Sequence, residues 1–330
     1  MVELDVKDKK ILYHLDLNCR QSNSQIGKKV GLSRKVVSYR IKRMEEEGVI
    51  KNYWTAINAF KLGYQVFRVY IKFQDVTEDK KQEIIEYFAS YKNVWTMYSS
   101  KVPIDLGIVI WVKKTCEFYR FWDKTLTLYE PYFAEYSTSI YITSIHYKKT
   151  YLINDKEESE NRKLYETSCE SNIVDIDEID YQLLNTLALN ARIPLVELAE
   201  KLGCSSQNVN YKIKNLMKSR VINGFRVNLF LSEIGMKNFK VDIYLKDYAK
   251  RKAIIEYLEK QPYFVILNVA IGWADIEPEL IVDNVEHLLE ILEDLNKRFP
   301  NAVKKNVFWI TSKQHKFRWL PELTEKDFKS

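Results

Sequence analysis

The sequence repeats itself after 172 residues, and this duplication limits the fold more than any other feature. At that interval ILYHLDLNCR, which begins at Ile11, meets LLNTLALNAR, which begins at Leu183, and Gly63 still meets Gly235. Solenoid repeats have periods of about 20 to 50 residues, so a much longer interval indicates two copies of a whole module. We therefore expect both copies to share one fold and one kind of function.

The composition is typical of a globular protein with more than one domain. At 330 residues the chain has room for two or three domains, and 46% of its residues are apolar. The start, MVELDVKDKKIL, is charged where a signal peptide is apolar, and no apolar run reaches the roughly 18 residues that cross a bilayer. We expect a cytoplasmic protein without a membrane span.

The sequence offers no motif for catalysis or metal binding. Cys19, Cys116, Cys169 and Cys204 are scattered without a CxxC pair, so neither a zinc site nor a disulfide framework is predicted. There is no GxGxxG, P-loop, HExxH or GxSxG motif in a suitable context. We therefore predict no enzyme, no cofactor and no metal.

The positive charge is concentrated in the first copy. The whole chain has a formal net charge of +6 and a pI near 8.8. Residues 1–60 contain twelve Lys and Arg against seven Asp and Glu, whereas residues 172–232 contain seven against six. The start of copy 1 is therefore suited to contact phosphates, and the start of copy 2 is nearly neutral.

Each copy opens with three short helical patterns. In copy 1 an apolar stripe in ILYHL precedes the polar break NCRQSN, a second amphipathic stretch ends at Gly31, and Ser33 stands where a helix N-cap belongs. The third helix extends to about Gly48. Helices joined by a short turn with glycine are typical of a helix-turn-helix. VIKNYWTAI and VINGFRVNL then alternate as a β hairpin or wing does, with Asn-Gly at the turn of the second.

The rest of each copy alternates between strand and helix periodicity in a βαββαβ series. The predicted elements of copy 1 cover 66–73, 77–90, 94–100, 106–112, 115–130 and 135–147, and those of copy 2 cover 238–245, 250–260, 264–271, 276–282, 284–298 and 303–312. Between the copies lies INDKEESENRKLYETSCESN, which is polar enough to be a linker.

The fold class is therefore α+β, a tandem duplication of a winged helix-turn-helix and a βαββαβ, ferredoxin-like domain that forms a pseudo-dimer. The predicted domain limits are 1–60 and 61–150 for copy 1, 151–172 for the linker, and 173–232 and 233–330 for copy 2.

The third helix of each copy divides into an apolar and a polar face. Val37, Ile41 and Met44 lie within about 60° of one another on a helical wheel, so that side packs on the preceding helices. The opposite sides carry Arg34, Lys35, Ser38, Tyr39, Lys42 and Arg43 in copy 1, and Ser206, Gln207, Asn210, Tyr211, Lys214 and Asn215 in copy 2. Such side chains suit the edges and phosphates of a DNA major groove, although they also fit a merely solvated helix face.

Arg20 and Arg192 occupy matched positions between the first two helices of the two copies. Two interpretations are open at this stage. Either the arginines contact DNA phosphate, or they form ion pairs with the opening acids Asp5 and Asp177.

The segments LDVKDKKILYHL, QIGKKVGLSRKVVSYRIKRMEEEGVIKNY and IDEIDYQLLNTLALNARIPLVELAEKLGCSSQNVNYKIKNL resemble the winged helix-turn-helix of the Lrp/AsnC, or feast/famine, transcription regulators. The βαββαβ halves are similar in architecture to the ligand-sensing domain of that family. Because ordinary members carry one such unit per chain and pair through their sheets, the resemblance implies a fused pseudo-dimer whose sheets pack face to face.

The resemblance also implies where an amino-acid-like effector binds. The family has a Gly-x-x-Asp element between the second and third strands, and Gly272 and Asp275 match it in copy 2. Copy 1 keeps the acid at Asp105 but lacks the glycine. Gly272 also fits a plain tight turn that needs a positive φ.

The function that follows is a sequence-specific, DNA-binding transcription regulator with a small-molecule effector, and with double-stranded DNA as its partner. Because the two third helices differ in sequence, we expect an asymmetric operator. Association of pseudo-dimers into a larger homo-oligomer is also open. A non-specific nucleoid protein is one alternative. A siroheme-decarboxylase-like enzyme is another, since His146 and His315 both follow a shared Ile-Thr-Ser and such enzymes consist of paired Lrp-like subunits.

Overall fold

The computed structural model describes residues 2–100, 102–153, 161–318 and 320–321. Each copy consists of a three-helix head with one following strand, and of a larger body. Head 1 comprises α1 (Val6–Leu17), α2 (Asn23–Val30), α3 (Arg34–Glu46) and β1 (Ile50–Ile57). Head 2 comprises α6 (Glu178–Leu189), α7 (Leu195–Lys201), α8 (Ser206–Lys218) and β7 (Ile222–Leu229).

The bodies contain the two βαββαβ series that the sequence predicts. Body 1 comprises β2 (Gln65–Phe73), α4 (Glu78–Ser90), β3 (Val94–Ser99), β4 (Leu106–Val112), α5 (Thr115–Tyr129) and β5 (Phe133–Tyr147). After β6 (Lys163–Ser168), body 2 comprises β8 (Lys237–Leu245), α9 (Arg251–Glu259), β9 (Phe264–Ile271), β10 (Glu277–Val282), α10 (Val285–Arg298) and β11 (Val303–Ile310), and β12 (Lys313–Phe317) follows.

The strand order is β5-β2-β4-β3 in body 1 and β11-β8-β10-β9 in body 2. In both bodies the fourth strand therefore neighbours the first and the third neighbours the second, which is the ferredoxin-like arrangement. The helices cover one side of each sheet, as the apolar cores around Phe88 and Leu292 show.

The two sheets join at their edges, and their inner faces also contact each other as expected, since Tyr70 of β2 lies 5.6 Å from Trp309 of β11, ring to ring. The long strand β5 extends beyond its own sheet, and its residues 140–146 pair with residues 266–271 of β9. On the other side β12 pairs with β3. Because β12 follows β11 after only two residues, the chain connects the two ends of the strand order without a ladder between β11 and β12, and we call this arrangement the closed sheet. The pairing of β12 leaves β3 without an open edge.

The predicted β hairpins after the third helices are wrong. Each segment is one strand, and β1 pairs antiparallel with β7 of the other copy, with Trp54 opposite Arg226. Gly224 lies within β7 opposite Ala56 and is absent from the glycines with positive φ, so Asn-Gly does not form a turn. The alternating pattern was read correctly as strand, but its partner lies in the other copy.

The predicted linker also contains a strand. Residues 163–168 form β6, which pairs with the end of β5, and Tyr165 is buried while Lys163 is exposed. The alternating KLYETS is amphipathic at strand period, so it covers an edge of the sheet. Residues 154–160 of that linker, Lys101 of the body 1 loop and residues 322–330 lie outside the described residues. Within the described residues no helix is long and apolar enough to cross a membrane.

Candidate nucleic-acid interface

The third helix of head 1 presents a polar face to solvent. The hydroxyl of Ser33 accepts a hydrogen bond from the Val36 amide at 3.3 Å and so caps the helix. Val37, Ile41 and Met44 are buried against α1 and α2 as predicted. The predicted contact residues Arg34, Lys35, Ser38, Tyr39 and Lys42 are all exposed. Tyr39 is 67% exposed although its ring is apolar, so this face is free to meet a partner.

Arg43 is the exception among the predicted contact residues of head 1. Its Nη2 donates to Asp8 Oδ2 at 2.6 Å, and Arg40 donates to the other oxygen of Asp8 at 2.8 Å and to Asp5 at 2.7 Å. Asp8 is almost fully buried, so these ion pairs fasten α3 to α1. The helical wheel places Arg43 on the outer face, but it cannot account for a buried acid on another helix.

Head 2 repeats this arrangement with less charge. Ser205 accepts from the Asn208 amide at 3.2 Å, and Lys212 binds Asp177 at 2.6 Å and Asp180 at 3.0 Å. The predicted contact residues Gln207, Tyr211 and Lys214 are exposed, whereas Ser206 and Asn210 are half-buried. The outer face of α8 is therefore mainly a neutral hydrogen-bonding surface with one lysine.

Arg20 and Arg192 hold the two heads together. The ion pairs expected with Asp5 and Asp177 are wrong, because those acids pair with Arg40 and Lys212, and the contact with DNA phosphate stays a prediction. Arg20 Nη1 donates to the carbonyl oxygens of Ala191 at 2.8 Å and Ile193 at 2.9 Å. Arg192 donates to Tyr53 Oη at 3.0 Å and to Asn23 at 3.2 Å. Their partners lie across the pseudo-twofold axis, so the heads form one unit with β1 and β7 at its centre.

A buried cluster of charges lies beneath this pair of strands. Arg226 Nε donates to Asp16 Oδ1 at 3.1 Å, and Lys149 lies 3.0 Å from the same oxygen. Burial raises the pKa of Asp16, but Arg226 and Lys149 outweigh burial and hold it below its ordinary value. At the matched positions of the other copy stand Ala188 and Trp54, so the cluster exists on one side only. The sequence signal for this cluster is the difference between Trp54 and Arg226, which stand at matched positions of the two copies.

The residues predicted to bind an effector have structural partners. Gly272 has φ 89°, and a Cβ there would lie 3.1 Å from the Thr138 carbonyl oxygen of the other copy. Asp275 Oδ2 accepts from the Leu245 amide at 2.7 Å, and Asp105 makes the matching bond to Phe73 at 2.8 Å. The glycine is thus required by a turn and a close approach, while the effector role of both residues stays a prediction.

Comparison with known proteins supports the assignment of the heads. A sequence profile described as winged helix-turn-helix DNA-binding matches residues 4–51 and 176–223. The transcriptional regulator LrpA of Pyrococcus horikoshii is 34% identical over 110 residues, which are 33% of this chain and 77% of the relative. The regulator Ptr1 of Methanocaldococcus jannaschii is 37% identical over 94 residues, which are 27% of this chain and 64% of that protein.

Among solved structures, the siroheme decarboxylase NirDL has the same fold over nearly the whole chain. It matches with a TM-score of 0.63 and 12% identity, and it covers 98% of this chain and 97% of its own. Escherichia coli AsnC matches 44% of this chain and 99% of its own, with a TM-score of 0.39 and 19% identity. At such identities the likeness to NirDL shows the fold alone.

The profile match in both heads and the identity to LrpA place the chain in the class of helix-turn-helix transcription regulators. Within that class, the chain belongs to the Lrp/AsnC family. It contains two fused copies of the family unit, and its heads are DNA-binding modules.

Proposed function

We propose that this protein regulates transcription by binding one asymmetric duplex site with two unequal heads. The observation that carries the proposal is the difference between two otherwise matched helix faces. α3 exposes Arg34, Lys35 and Lys42, whereas the matched positions of α8 are Ser206, Gln207 and Lys214. Since cationic side chains supply most of the phosphate attraction, head 1 contributes more to affinity.

The rigid pairing of the heads supports a fixed spacing between half-sites. The β1 and β7 strands pair along most of their lengths, and Arg20 and Arg192 cross between the heads. A dimer of identical heads favours a palindrome because both half-sites meet the same side chains. Here the spacing is that of a dimer, but the two half-sites meet different side chains.

Selection of binding sites from a random duplex pool, followed by footprinting, tests this proposal. The expected result is one strong and one weaker half-site of different sequence, bound at least about 1,000-fold more tightly than random duplex. Selection of a perfect palindrome would contradict the asymmetry. Equal affinity for random duplex would instead favour a nucleoid-coating protein.

Substitution of single lysines separates the two heads. Because each lost phosphate contact lowers the slope of log K against log salt by about 0.9, Lys35→Gln with Lys42→Gln should flatten that slope by about 2. Lys214→Gln should change it by less than 1. At exposed positions on body 2, Lys260→Gln is the matched control for Lys214→Gln, and Lys260→Gln with Lys304→Gln is the matched control for the head 1 variant. An unchanged slope in the head 1 variant would remove α3 as the main DNA contact.

A second candidate function is a decarboxylase that acts on a tetrapyrrole. The fold it shares with NirDL over 98% of the chain favours it, as does the position of His146 in the wall of a cavity of about 580 Å³ between the heads and the sheets. Added siroheme distinguishes the two functions, because an enzyme would shift the absorption bands of siroheme and release carbon dioxide without DNA. A regulator alone would release none.

A further inference from the structure

A large cavity lies between the heads and the closed sheet. Its volume is about 580 Å³, which is in the range of small-molecule sites. Its walls come from β1 and β7 of the heads, from β3, β4, β5, β9 and β10 of the bodies, and from β12. A molecule that fills the cavity would therefore contact both heads and both bodies.

The charge of the cavity is strongly unbalanced. Six lysine or arginine side chains line it, against one glutamate. Glu279 pairs with Lys240, and Asp16 pairs with Arg226 and Lys149. One carboxylate thus serves two buried cations, while the exposed lysines 51, 237 and 313 form no ion pair within the described residues. Because no carboxylate of the described residues neutralises these three lysines, the cavity carries a positive charge that attracts an anion.

The wall also includes a buried donor that lacks a partner. Within the described residues, Trp111 Nε1 is buried and makes no hydrogen bond, whereas the Arg226 guanidinium is held by Asp16 and Tyr165. Arg226 is only 3% exposed and Trp111 only 2%. Native proteins rarely leave buried donors unsatisfied. The unpaired indole N–H of Trp111 is therefore suited to an acceptor that the protein itself does not supply.

The remaining wall is aromatic and connects a head with the body. Trp54 of β1 lies edge-on to Phe317 of β12 at 6.0 Å, and Trp95 of β3 lies 5.3 Å from Trp111 of β4. Trp54 stands opposite Arg226 in the strand pair, where a homodimer would have two identical residues. The pseudo-twofold axis therefore brings a flat apolar surface next to a cation.

We propose that this cavity binds an organic anion with a planar apolar body, and that its occupancy changes the affinity of the heads for DNA. The anion lies at the exposed Lys51, Lys237 and Lys313, and the planar body lies at Trp54. Because the walls belong to both heads and bodies, the bound molecule stabilises one orientation of the heads relative to the sheet. The binding step is independent of the proposed asymmetric operator, while the effect on DNA rests on the proposed function.

Calorimetry on the full chain without DNA tests the binding step. Indole-3-acetate should bind, whereas tryptamine, which has the ring but a positive charge, and acetate, which has the charge but no ring, should not. Uroporphyrin III also has carboxylates on a planar apolar ring system, but it is larger. If uroporphyrin III binds and indole-3-acetate does not, the proposal is supported and the ligand is a tetrapyrrole. If neither aromatic anion binds with a dissociation constant of about 1 mM or lower, the proposal is overturned.

Replacement of the three exposed lysines locates the site. Lys51→Ala, Lys237→Ala and Lys313→Ala together should weaken the aromatic anion about ten-fold, since each removes a charge at the cavity. The control carries Lys246→Ala, Lys260→Ala and Lys304→Ala, which have the same charge change on body 2 away from the cavity. Equal affinities of the two variants would overturn the assignment of the site.

Gel shifts with a selected duplex test the coupling. A saturating aromatic anion should change the affinity for DNA at least about five-fold, and the lysine variant should need more ligand for the same change. If the anion binds but the DNA affinity stays constant, the coupling is wrong. If the protein binds no duplex selectively, the proposed function fails, but the calorimetric result still decides the site.

Discussion

His146 and Asp242 are buried titratable residues that should give opposite pH dependences of stability. Burial, together with nearby Arg226, lowers the pKa of His146 to about 3, and burial together with Glu277 raises the pKa of Asp242 to about 7. His146 is buried and stacks on Tyr165 at 4.5 Å, and burial disfavours the protonated ring. Both residues are therefore neutral in the folded protein between about pH 4.5 and 6.

The sign of each contribution follows from where the unfolded chain titrates. Below about pH 6.5 the histidine is protonated in the unfolded chain but stays neutral in the folded protein. The contribution of His146 to the free energy of unfolding is therefore lost as the pH falls toward 3. Above about pH 3.9 the unfolded aspartate releases a proton that the folded one keeps, so its contribution is lost as the pH rises toward 7. Each slope is at most about 1.4 kcal/mol per pH unit, and the two oppose each other.

We predict that single substitutions at these two residues separate the opposing pH dependences of the free energy of unfolding. Relative to the wild type, His146→Gln should make the free energy of unfolding fall more steeply with rising pH between 4.5 and 6. Asp242→Asn, whose amide oxygen can still accept from Trp273 Nε1, should make it rise more steeply. Urea denaturation at several pH values measures both. Parallel pH curves for all three proteins would show that neither group is held neutral.

At the scale of elements, the strand β12 is the piece that closes the sheet. It pairs with β3, Ser312 donates its amide to the Ser99 carbonyl at 2.8 Å, and Leu320 beyond it is fully buried. The segment also reaches head 2, where the Tyr181 hydroxyl donates to the Pro321 carbonyl at 3.1 Å. The chain end therefore ties body 1 to head 2.

Removal of β12 should leave β3 as an unpaired edge. We predict that the free energy of unfolding of a chain that ends at Ile310 is lower by at least about 2 kcal/mol, because the loss of buried Leu320 alone costs that much. We also predict that this chain associates through the exposed edge of β3. Urea denaturation and sedimentation measure the two effects. A chain that ends at Pro321 retains these contacts and is the control. If both chains are equally stable monomers, the closure does not support the fold.

The elements themselves could be predicted from sequence, but their partners could not. The helix in TEDKKQEIIEYFAS and the strand in LGIVIWV were found where the structure has them, because local periodicity depends on one face being buried. β1 and β7 alternate in the same way whether they form a hairpin or pair across the copies. The sequence likewise revealed the exposed face of α3 but not the ion pair that turns Arg43 toward Asp8.

At the scale of the whole molecule, the two copies have diverged into complementary halves. Inside the closed sheet Arg68 of copy 1 and Lys240 of copy 2 occupy matched positions, but both neighbouring acids, Glu277 and Glu279, belong to copy 2. Arg68 is 2% exposed and forms a bidentate pair with Glu277. Copy 1 has Gly107 and Val109 where copy 2 has these glutamates, and the ring of Tyr98 fills the space above Gly107.

A dimer of copy 1 with itself would bury two arginines without an acid. Leaving a buried charge unpaired costs roughly 3 to 5 kcal/mol, so two such arginines strongly disfavour that dimer. The pairing of one copy with the other compensates every one of these cations. Fusion into a single chain then supplies the correct partner at any concentration.

We therefore predict that the two halves, expressed separately, associate with each other in preference to themselves. Residues 1–153 and 154–330, expressed as two chains, should form a 1:1 complex, and residues 1–153 alone should not form a stable dimer. Native mass spectrometry measures both. Val109→Glu in the first fragment should permit self-association, because residue 109 lies opposite Arg68 as Glu279 lies opposite Lys240. Val109→Gln is the uncharged control, and self-association of the unaltered fragment as strong as the mixed complex would contradict this account.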